Sequence, residues 1–167
     1  MSDEFPIYQR AVGYLIGQDW SIICASPPGG TDRRFKKCLL PRTVTSHERG
    51  LRDEVDVTAA KQSVVLLIEC KPRLAHSLTR ENTLGESDYH KLRRILLTYS
   101  PAKLKSTLER GHTILLPAVI KPFPVLCVGV VDIAAPNDIV VLECAEERTR
   151  WVNVPANFET DLRALIS

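Results

Sequence analysis

Apolar residues at the start of the chain recur at the spacing of an amphipathic helix. Between residues 7 and 18 they return every three or four positions, and Pro6 precedes them, where proline favours the start of a helix. The apolar segment 20–25 follows and ends at the proline- and glycine-rich segment 27–30, which is typical of a strand closed by a loop. The chain is therefore predicted to open with one helix and one strand.

Two more strands are predicted before residue 72. The first, at residues 54–58, alternates polar and apolar side chains, so its polar members share one face. The second, at residues 64–71, is continuously apolar until Glu69 and Lys71. Such a segment is expected to be a central strand that is covered on both sides.

The second half of the chain predicts two helices and then mainly strands. Ser87 stands where it can cap a helix over residues 88–99, and Ser100-Pro101 opens a second helix that ends before Gly111. The remaining apolar segments predict four strands and a terminal helix, at residues 113–120, 125–132, 139–144, 151–154 and 160–166.

This order of elements predicts a single α/β domain over residues 1–167. The order α-β-β-β-α-α-β-β-β describes a sandwich of helices against one sheet, and the sheet is mixed because several strands are joined too tightly for parallel crossovers. A chain of 167 residues is long enough for one domain with its own core. Its 44% of hydrophobic and 25% of charged residues argue against a disordered chain.

The same sequence features argue against a membrane or secreted protein. No apolar run approaches the ~20 residues of a membrane span, and the start Met1-Ser2-Asp3-Glu4 lacks the basic and apolar regions of a signal peptide. The predicted location is the cytoplasm, with association to the nucleoid as a variant of it. The five cysteines are odd in number and form no C-x-x-C pair, so we expect buried free thiols.

Charge is distributed unevenly along the chain, although the formal net charge is only +2. Residues 32–52 hold seven Lys or Arg against two acids, and residues 89–110 hold six against one. Residues 132–147 hold five acids and no base. A positive face against a polyanion and ordinary solvated surfaces are both compatible with this segregation. The predicted phosphate-binding residues of the basic loop are Arg33, Arg34, Lys36 and Lys37.

The residues with the clearest chemistry are Asp56, Glu69 and Lys71. Glu69 and Lys71 are two positions apart on a strand and therefore project to the same side, and Asp56 can meet Glu69 across the hairpin. Two adjacent carboxylates repel each other, and a hard divalent cation such as Mg²⁺ removes that repulsion. In phosphodiester cleavage the carboxylates would hold the metal, while Lys71 would orient or help deprotonate the attacking water and offset phosphate charge.

Twelve residues separate Asp56 from Glu69, and the segments Glu54-Val55-Asp56-Val57 and Val65-Leu66-Leu67-Ile68-Glu69-Cys70-Lys71 resemble the PD-(D/E)xK phosphodiesterase superfamily. This superfamily includes type II restriction enzymes, archaeal Holliday-junction resolvases and repair nucleases, and the resemblance spans roughly residues 4–120. It implies a restriction endonuclease-like fold, a three-layer sandwich with a central mixed β-sheet flanked by helices. It also implies Mg²⁺, replaceable by Mn²⁺, bound by Asp56, Glu69 and the backbone carbonyl of Cys70, with Lys71 at the water.

The chain departs from the superfamily pattern at two positions. Val55 stands where the motif has proline, and Tyr8 stands where some members carry a metal-linked glutamate on the first helix. Glu4 lies one turn earlier and could replace that glutamate, and Glu54 is a further accessory candidate. Because a helix after the third strand often supplies a Gln, Lys or Arg, the resemblance also implies that Lys91 faces the site.

The sequence thus predicts a Mg²⁺-dependent endo- or exodeoxyribonuclease, a hydrolase that acts on DNA as a homodimer or as a subunit of a larger complex. The alternative is a catalytically silent member of the same fold that binds nucleic acid or a partner protein in a defence, transposition or repair complex. A third hypothesis is an α/β domain in which the charged strand end is structural. Asp56 and Glu69 carboxylates within roughly 4–5 Å of each other favour the first two. Restriction, resolvase and repair roles stay open.

Overall fold

Five helices and eight strands lie within residues 3–42, 52–156 and 159–166, the parts of the chain that the computed structural model describes. The helices are α1 (Phe5–Gly17), α2 (Leu74–Thr79), α3 (Asp88–Thr98), α4 (Pro101–His112) and α5 (Glu159–Ile166). The strands are β1 (Ser21–Ala25), β2 (Cys38–Pro41), β3 (Arg52–Val55), β4 (Val57–Lys61), β5 (Val64–Arg73), β6 (Lys121–Val130), β7 (Val140–Cys144) and β8 (Thr149–Asn153).

Six of these strands form one mixed sheet in the order β1-β4-β5-β6-β7-β8. The central strands β5, β6 and β7 run parallel, and the pairs β1–β4, β4–β5 and β7–β8 are antiparallel. β2 and β3 pair with each other in a separate antiparallel sheet. The predicted mixed sheet with β5 as a central strand is therefore confirmed.

Helices cover both faces of the large sheet because its central strands are apolar on both sides. On one face α1 and α5 pack through residues such as Leu15 and Leu162. On the other face α2, α3 and α4 pack through Leu74, Leu92 and Leu108. This α/β arrangement agrees with the predicted sandwich of helices around a mixed sheet. No helix of the described segments is long and apolar enough to cross a membrane.

Several predicted helix boundaries hold because local capping chemistry defines them. The Ser87 and Ser100 side chains accept hydrogen bonds from the backbone N–H groups of His90 and Lys103, which caps α3 and α4 as predicted. α4 runs past Gly111 to His112, slightly further than expected. β2 and the short helix α2 were not predicted.

The predicted strand at residues 113–120 is wrong. Thr113 ends α4 in the left-handed conformation, with φ 51°, and the following segment pairs with no strand among the described residues. Leu115 is 91% exposed and Val119 is 70% exposed, whereas Leu116 is buried. The segment is apolar because some of its side chains pack from a loop onto the core, and sequence periodicity cannot separate that from a short buried strand.

The prediction that all five cysteines are free is also wrong. Cys24 and Cys38 form a disulfide between β1 and β2, because folding brings these residues to a Cα–Cα separation of 5.1 Å. Cys70, Cys127 and Cys144 are buried free thiols, as predicted.

β6 lies close to both β5 and α1 at Gly129. A Cβ atom at this position would lie 2.8 Å from the backbone oxygen of Pro72 and 2.8 Å from Cδ1 of Ile7. Glycine is therefore the residue that allows the end of β5 and the start of α1 to converge. The candidate site described next lies beside this point.

Candidate active site

The site begins where β4 and β3 diverge. β4 pairs with β5 from Lys61↔Val64 to Val57↔Ile68, so the next position sets Asp56 opposite Glu69. At Asp56 the chain bends out of the large sheet and continues backwards as β3 in the small one. The predicted strand at 54–58 is thus two strands, and the expected common face of its polar residues does not exist.

The bend leaves the Cys70 backbone without a strand partner on that side, and Asp56 takes the partner's place. The Cys70 N–H donates a hydrogen bond of 2.8 Å to Oδ2 of Asp56. A side-chain hydrogen bond with Glu69 also acts to lower the pKa of Asp56. The two carboxyl groups therefore lie beside each other at the end of β5, as the metal-site and nuclease-fold hypotheses expect.

Glu69 is 3% exposed and has a lysine as its ionic partner. Nζ of Lys91, on the first turns of α3, lies 2.6 Å from Oε1 of Glu69. The same ammonium group donates to the backbone oxygen of Glu54 on β3. Lys91 therefore faces the site, as the resemblance implies, and it connects α3 to β3 and β5.

Lys71 is held by two further carboxylates from different elements. Its Nζ lies 3.0 Å from Oδ2 of Asp88, the first residue of α3, and 3.3 Å from Oε1 of Glu4, just before α1. The side chains of Lys71, Asp88 and Glu4 are only 16%, 11% and 22% exposed. We call the six residues Glu4, Asp56, Glu69, Lys71, Asp88 and Lys91 the carboxylate–lysine cluster.

Burial perturbs the pKa values of this cluster. Desolvation raises the pKa of Asp56 to about 6, and hydrogen bonds from Cys70 and Glu69 oppose that rise. Desolvation, followed by the charge of Asp56, raises the pKa of Glu69 well above its ordinary value against the pull of Lys91. Burial alone would lower the pKa of Lys71, but Asp88 and Glu4 raise it above its usual range. The cluster therefore keeps its lysines protonated and disfavours ionisation of its central acids.

The charges of the cluster do not balance when every member is ionised. Four carboxylates face two ammonium groups, which leaves two negative charges in a buried place. A shared proton relieves part of this excess, and a divalent cation would relieve all of it.

The donor set fits Mg²⁺ at Asp56 and Glu69. Mg²⁺ prefers oxygen ligands and is commonly held by only one or two carboxylates, with water and phosphate completing its shell. Across the described residues, no group of three or more His, Cys, Asp or Glu side chains could hold a metal ion. If a cation binds here, the Asp56 and Glu69 carboxylates are its candidate ligands, and the resemblance adds the Cys70 carbonyl.

Other predicted site residues lie outside the cluster. Tyr8 is buried, but its hydroxyl donates a 2.8 Å hydrogen bond to Asp32 rather than to Glu69. The Glu54 side chain is exposed, and its carboxylate lies 3.9 Å from Nζ of Lys37. Of the two accessory candidates on or before α1, Glu4 joins the cluster and Tyr8 does not.

The predicted basic loop does not act as one unit. Arg34 is neutralised by Asp32, with contacts of 3.0 and 2.8 Å. Arg33 is exposed and makes no ion pair with a described residue, whereas Lys36 and Lys37 are exposed beside the small sheet. The structure thus separates Arg34 from the other loop cations.

Asp88 is the member of the cluster that the sequence analysis missed. Its signal was present, because Asp88 directly follows the N-cap Ser87 and lies three residues before Lys91, on the same side of a helix. A second missed feature is buried Asp53 on β3, which accepts hydrogen bonds from Arg42 and Arg94. This ionic network fixes β3 against α3 and so holds the bend at Asp56.

No family model matches this chain, and no curated protein or solved structure matches it either. The carboxylate–lysine cluster is therefore the feature on which a functional assignment depends.

Proposed function

We propose that this chain is a metal-dependent nuclease that hydrolyses phosphodiester bonds in DNA, with Mg²⁺ or Mn²⁺ as cofactor. The resemblance to the PD-(D/E)xK superfamily, with its restriction endonuclease-like fold, motivates this proposal. The observation that carries it is the carboxylate–lysine cluster at the end of β5, in which Asp56 and Glu69 belong to a set of four carboxylates facing only two ammonium groups.

Each residue of the site has a role that follows from its surroundings. Asp56 and Glu69 hold the metal together with the Cys70 carbonyl, and Lys91 keeps Glu69 oriented. When bound, Mg²⁺ supplies an activated water and stabilises charge on the phosphoryl oxygens. Because Asp88 and Glu4 keep Lys71 protonated, Lys71 orients the water and offsets phosphate charge rather than accepting a proton.

Nicking of supercoiled plasmid in Mg²⁺ or Mn²⁺, with EDTA as the metal-free reaction, tests the proposal. Glu69→Gln and Lys71→Ala should each lower the nicking rate at least about a hundredfold. Glu143→Gln and Lys105→Ala are matched controls, because Glu143 is a buried glutamate paired with Arg150 and Lys105 pairs with Glu109, both outside the cluster. Nicking that persists in folded Glu69→Gln would exclude this site as its source.

A second function, a catalytically silent nuclease-fold subunit that binds nucleic acid or a partner protein, is favoured by one observation. Lys91 already pairs with Glu69, and the Cys70 N–H already donates to Asp56, so both candidate metal ligands have a partner within the protein. Mg²⁺ titration followed by the melting temperature separates the two functions. A bound cation at a hundred times its Kd adds about 2.7 kcal/mol of stability, whereas a silent subunit would show no shift.

The proposed assembly follows from the geometry of cleavage. One such site cuts one strand, so cutting of both strands requires a homodimer or a larger complex. Light scattering of the protein with and without a DNA duplex would give the number of copies. A monomer under both conditions that nevertheless cuts both strands at one position would contradict this.

A further inference from the structure

A cleft of about 550 Å³ lies between the end of α4 and the small sheet of β2 and β3. Its charged lining residues are Lys36, Lys37, Arg52 and Arg110. Burial and the charge of Lys36 lower the pKa of the fifth basic residue, His112, which favours its neutral form. No Asp or Glu is found among the described residues that line it. The cleft therefore concentrates positive charge in a concave surface, which focuses the potential felt by an anion.

The two arginines of this cleft lack acidic partners. Elsewhere in the protein, Arg34, Arg42 and Arg94 each pair with an aspartate. Arg52 and Arg110 pair with no carboxylate of the described residues. The nearest acid contact of the cleft is Glu54, 3.9 Å from Lys37, where the Coulomb energy of an exposed pair is small. Within the described ranges, both arginines are thus left without a carboxylate partner.

The position of the cleft relates it to the carboxylate–lysine cluster. Arg52 begins β3, and Asp56 follows four residues later at the bend. Four residues of extended chain span about 13 Å. That length equals the rise of about four base pairs along a DNA duplex. One phosphate backbone could therefore reach both places.

The uncharged side chains that line the cleft help to decide whether it binds single-stranded or double-stranded nucleic acid. No Phe, Tyr or Trp lines it among the described residues, so it offers no aromatic ring for unstacked bases. Proteins that bind single strands usually supply such rings, whereas arginine and lysine contacts to phosphates suit a duplex of any sequence.

We infer that this cleft binds the phosphate backbone of double-stranded DNA, about four base pairs from the bond that is cut. The distance from the cleft to the cleaved bond rests on the proposed nuclease function, whereas duplex binding by the cleft does not. The cleft would fix the duplex against the small sheet and leave the carboxylate–lysine cluster to act on one strand.

Fluorescence anisotropy with a labelled duplex, in EDTA and over a range of salt, tests the inference without cleavage. Arg52→Ala and Arg110→Ala should each reduce the slope of log affinity against log salt by about 0.9, and together weaken binding about tenfold. Arg148→Ala is the control, because Arg148 is exposed beside β8, at the opposite edge of the large sheet. Unchanged melting temperatures would verify that the variants fold.

The outcomes separate the two proposals. Loss of duplex binding in the arginine variants, with no nicking by wild type, would support the cleft and refute the nuclease. Nicking by wild type together with unchanged binding in both arginine variants would overturn the cleft and leave the nuclease standing. Tighter binding of single-stranded DNA or of an RNA duplex than of duplex DNA would overturn the assigned ligand.

Discussion

At the scale of single residues, Asp56 carries an unfavourable charge in the absence of a cation. Its folded pKa of about 6 exceeds the ordinary value for aspartate, so folding favours its protonated form. The stability that it contributes is full below pH ~4 and is lost as the pH rises through about 6. Metal-free protein should consequently lose stability over this interval.

Asp56→Asn should remove that loss, since an amide oxygen can still accept from the Cys70 N–H. In EDTA at pH 8 we expect the free energy of unfolding to rise by about 1–2 kcal/mol, with a flatter profile between pH 4 and 8. Urea denaturation across this pH range gives the measurement.

Asp53→Asn is the matched comparison for Asp56→Asn. Burial opposes ionisation of Asp53 as well, but Arg94 and Arg42 lower its pKa. Its stabilising contribution is therefore present at neutral pH and lost on acidification. Asp53→Asn should therefore lower the free energy of unfolding at pH 8. An equal decrease in Asp56→Asn would contradict the prediction, because it would show that ionised Asp56 stabilises the fold as Asp53 does.

At the scale of secondary structure, the capping serines Ser87 and Ser100 should each stabilise one helix, but only Ser87 should affect function. Each caps one helix, so alanine at either position should cost about 1 kcal/mol. Only α3 carries Asp88 and Lys91, so only Ser87→Ala should also slow nicking, by at least about tenfold. Urea denaturation and plasmid nicking on the same samples give both values, and equal nicking rates would contradict a positioning role for the α3 cap.

Gly129→Ala tests the close approach of β5, β6 and α1. The added Cβ would meet the Pro72 backbone at 2.8 Å, so strands must shift, at a cost of about 1–3 kcal/mol. Gly13→Ala on the exposed side of α1 meets nothing within 4 Å and should stabilise by up to about 1 kcal/mol. Calorimetric melting of both variants gives the comparison, and a neutral Gly129→Ala would contradict the described packing.

Local patterns were sufficient for some elements and insufficient for others. β5 could be predicted because a continuous apolar run reports burial on both faces, and α3 because periodicity and its cap agree. The split of residues 54–58 at Asp56 depends on which strand each half pairs with, and no local pattern contains that information.

Some residues of the candidate site could likewise be predicted from local patterns, and others could not. Glu69 and Lys71 face one side because strand geometry alone requires it, and Asp56 follows from the hairpin. The sequence places Asp88 on the same helix face as Lys91 and offers Glu4 as a candidate, but that both residues meet Lys71 depends on the packing of α1 and α3, which no local pattern contains. The roles of Asp56, Glu69, Lys71 and Mg²⁺ stay predictions until metal binding and cleavage are measured.

At the scale of the whole molecule, the Cys24–Cys38 disulfide ties the small sheet to the edge of the large one. It closes a loop with a sequence separation of 14, for which loss of the crosslink costs about 3 kcal/mol in the chain-entropy description. Reduction, or the double change Cys24→Ala and Cys38→Ala, should lower the free energy of unfolding by about 2–4 kcal/mol. Denaturation with and without a phosphine reductant measures this.

The double variant also provides the control for that experiment. Its remaining thiols, Cys70, Cys127 and Cys144, are buried and free, so the reductant should not change its stability. If the reductant does not change the stability of the wild type, the disulfide is absent in solution.

The β4–β5 hairpin sets the distance of Asp56 and Glu69 from its turn. Counting outward from the first pair, Lys61↔Val64, each strand adds one residue per rung, so both carboxylates stand the same number of residues from the turn at Gln62 and Ser63. Residues inserted within that turn would leave the carboxylates opposed. Deleting one residue from either arm would move a single acid to the other face of the sheet. Natural length variation compatible with this chemistry should therefore concentrate at the turn, and the two arms should change length only in step.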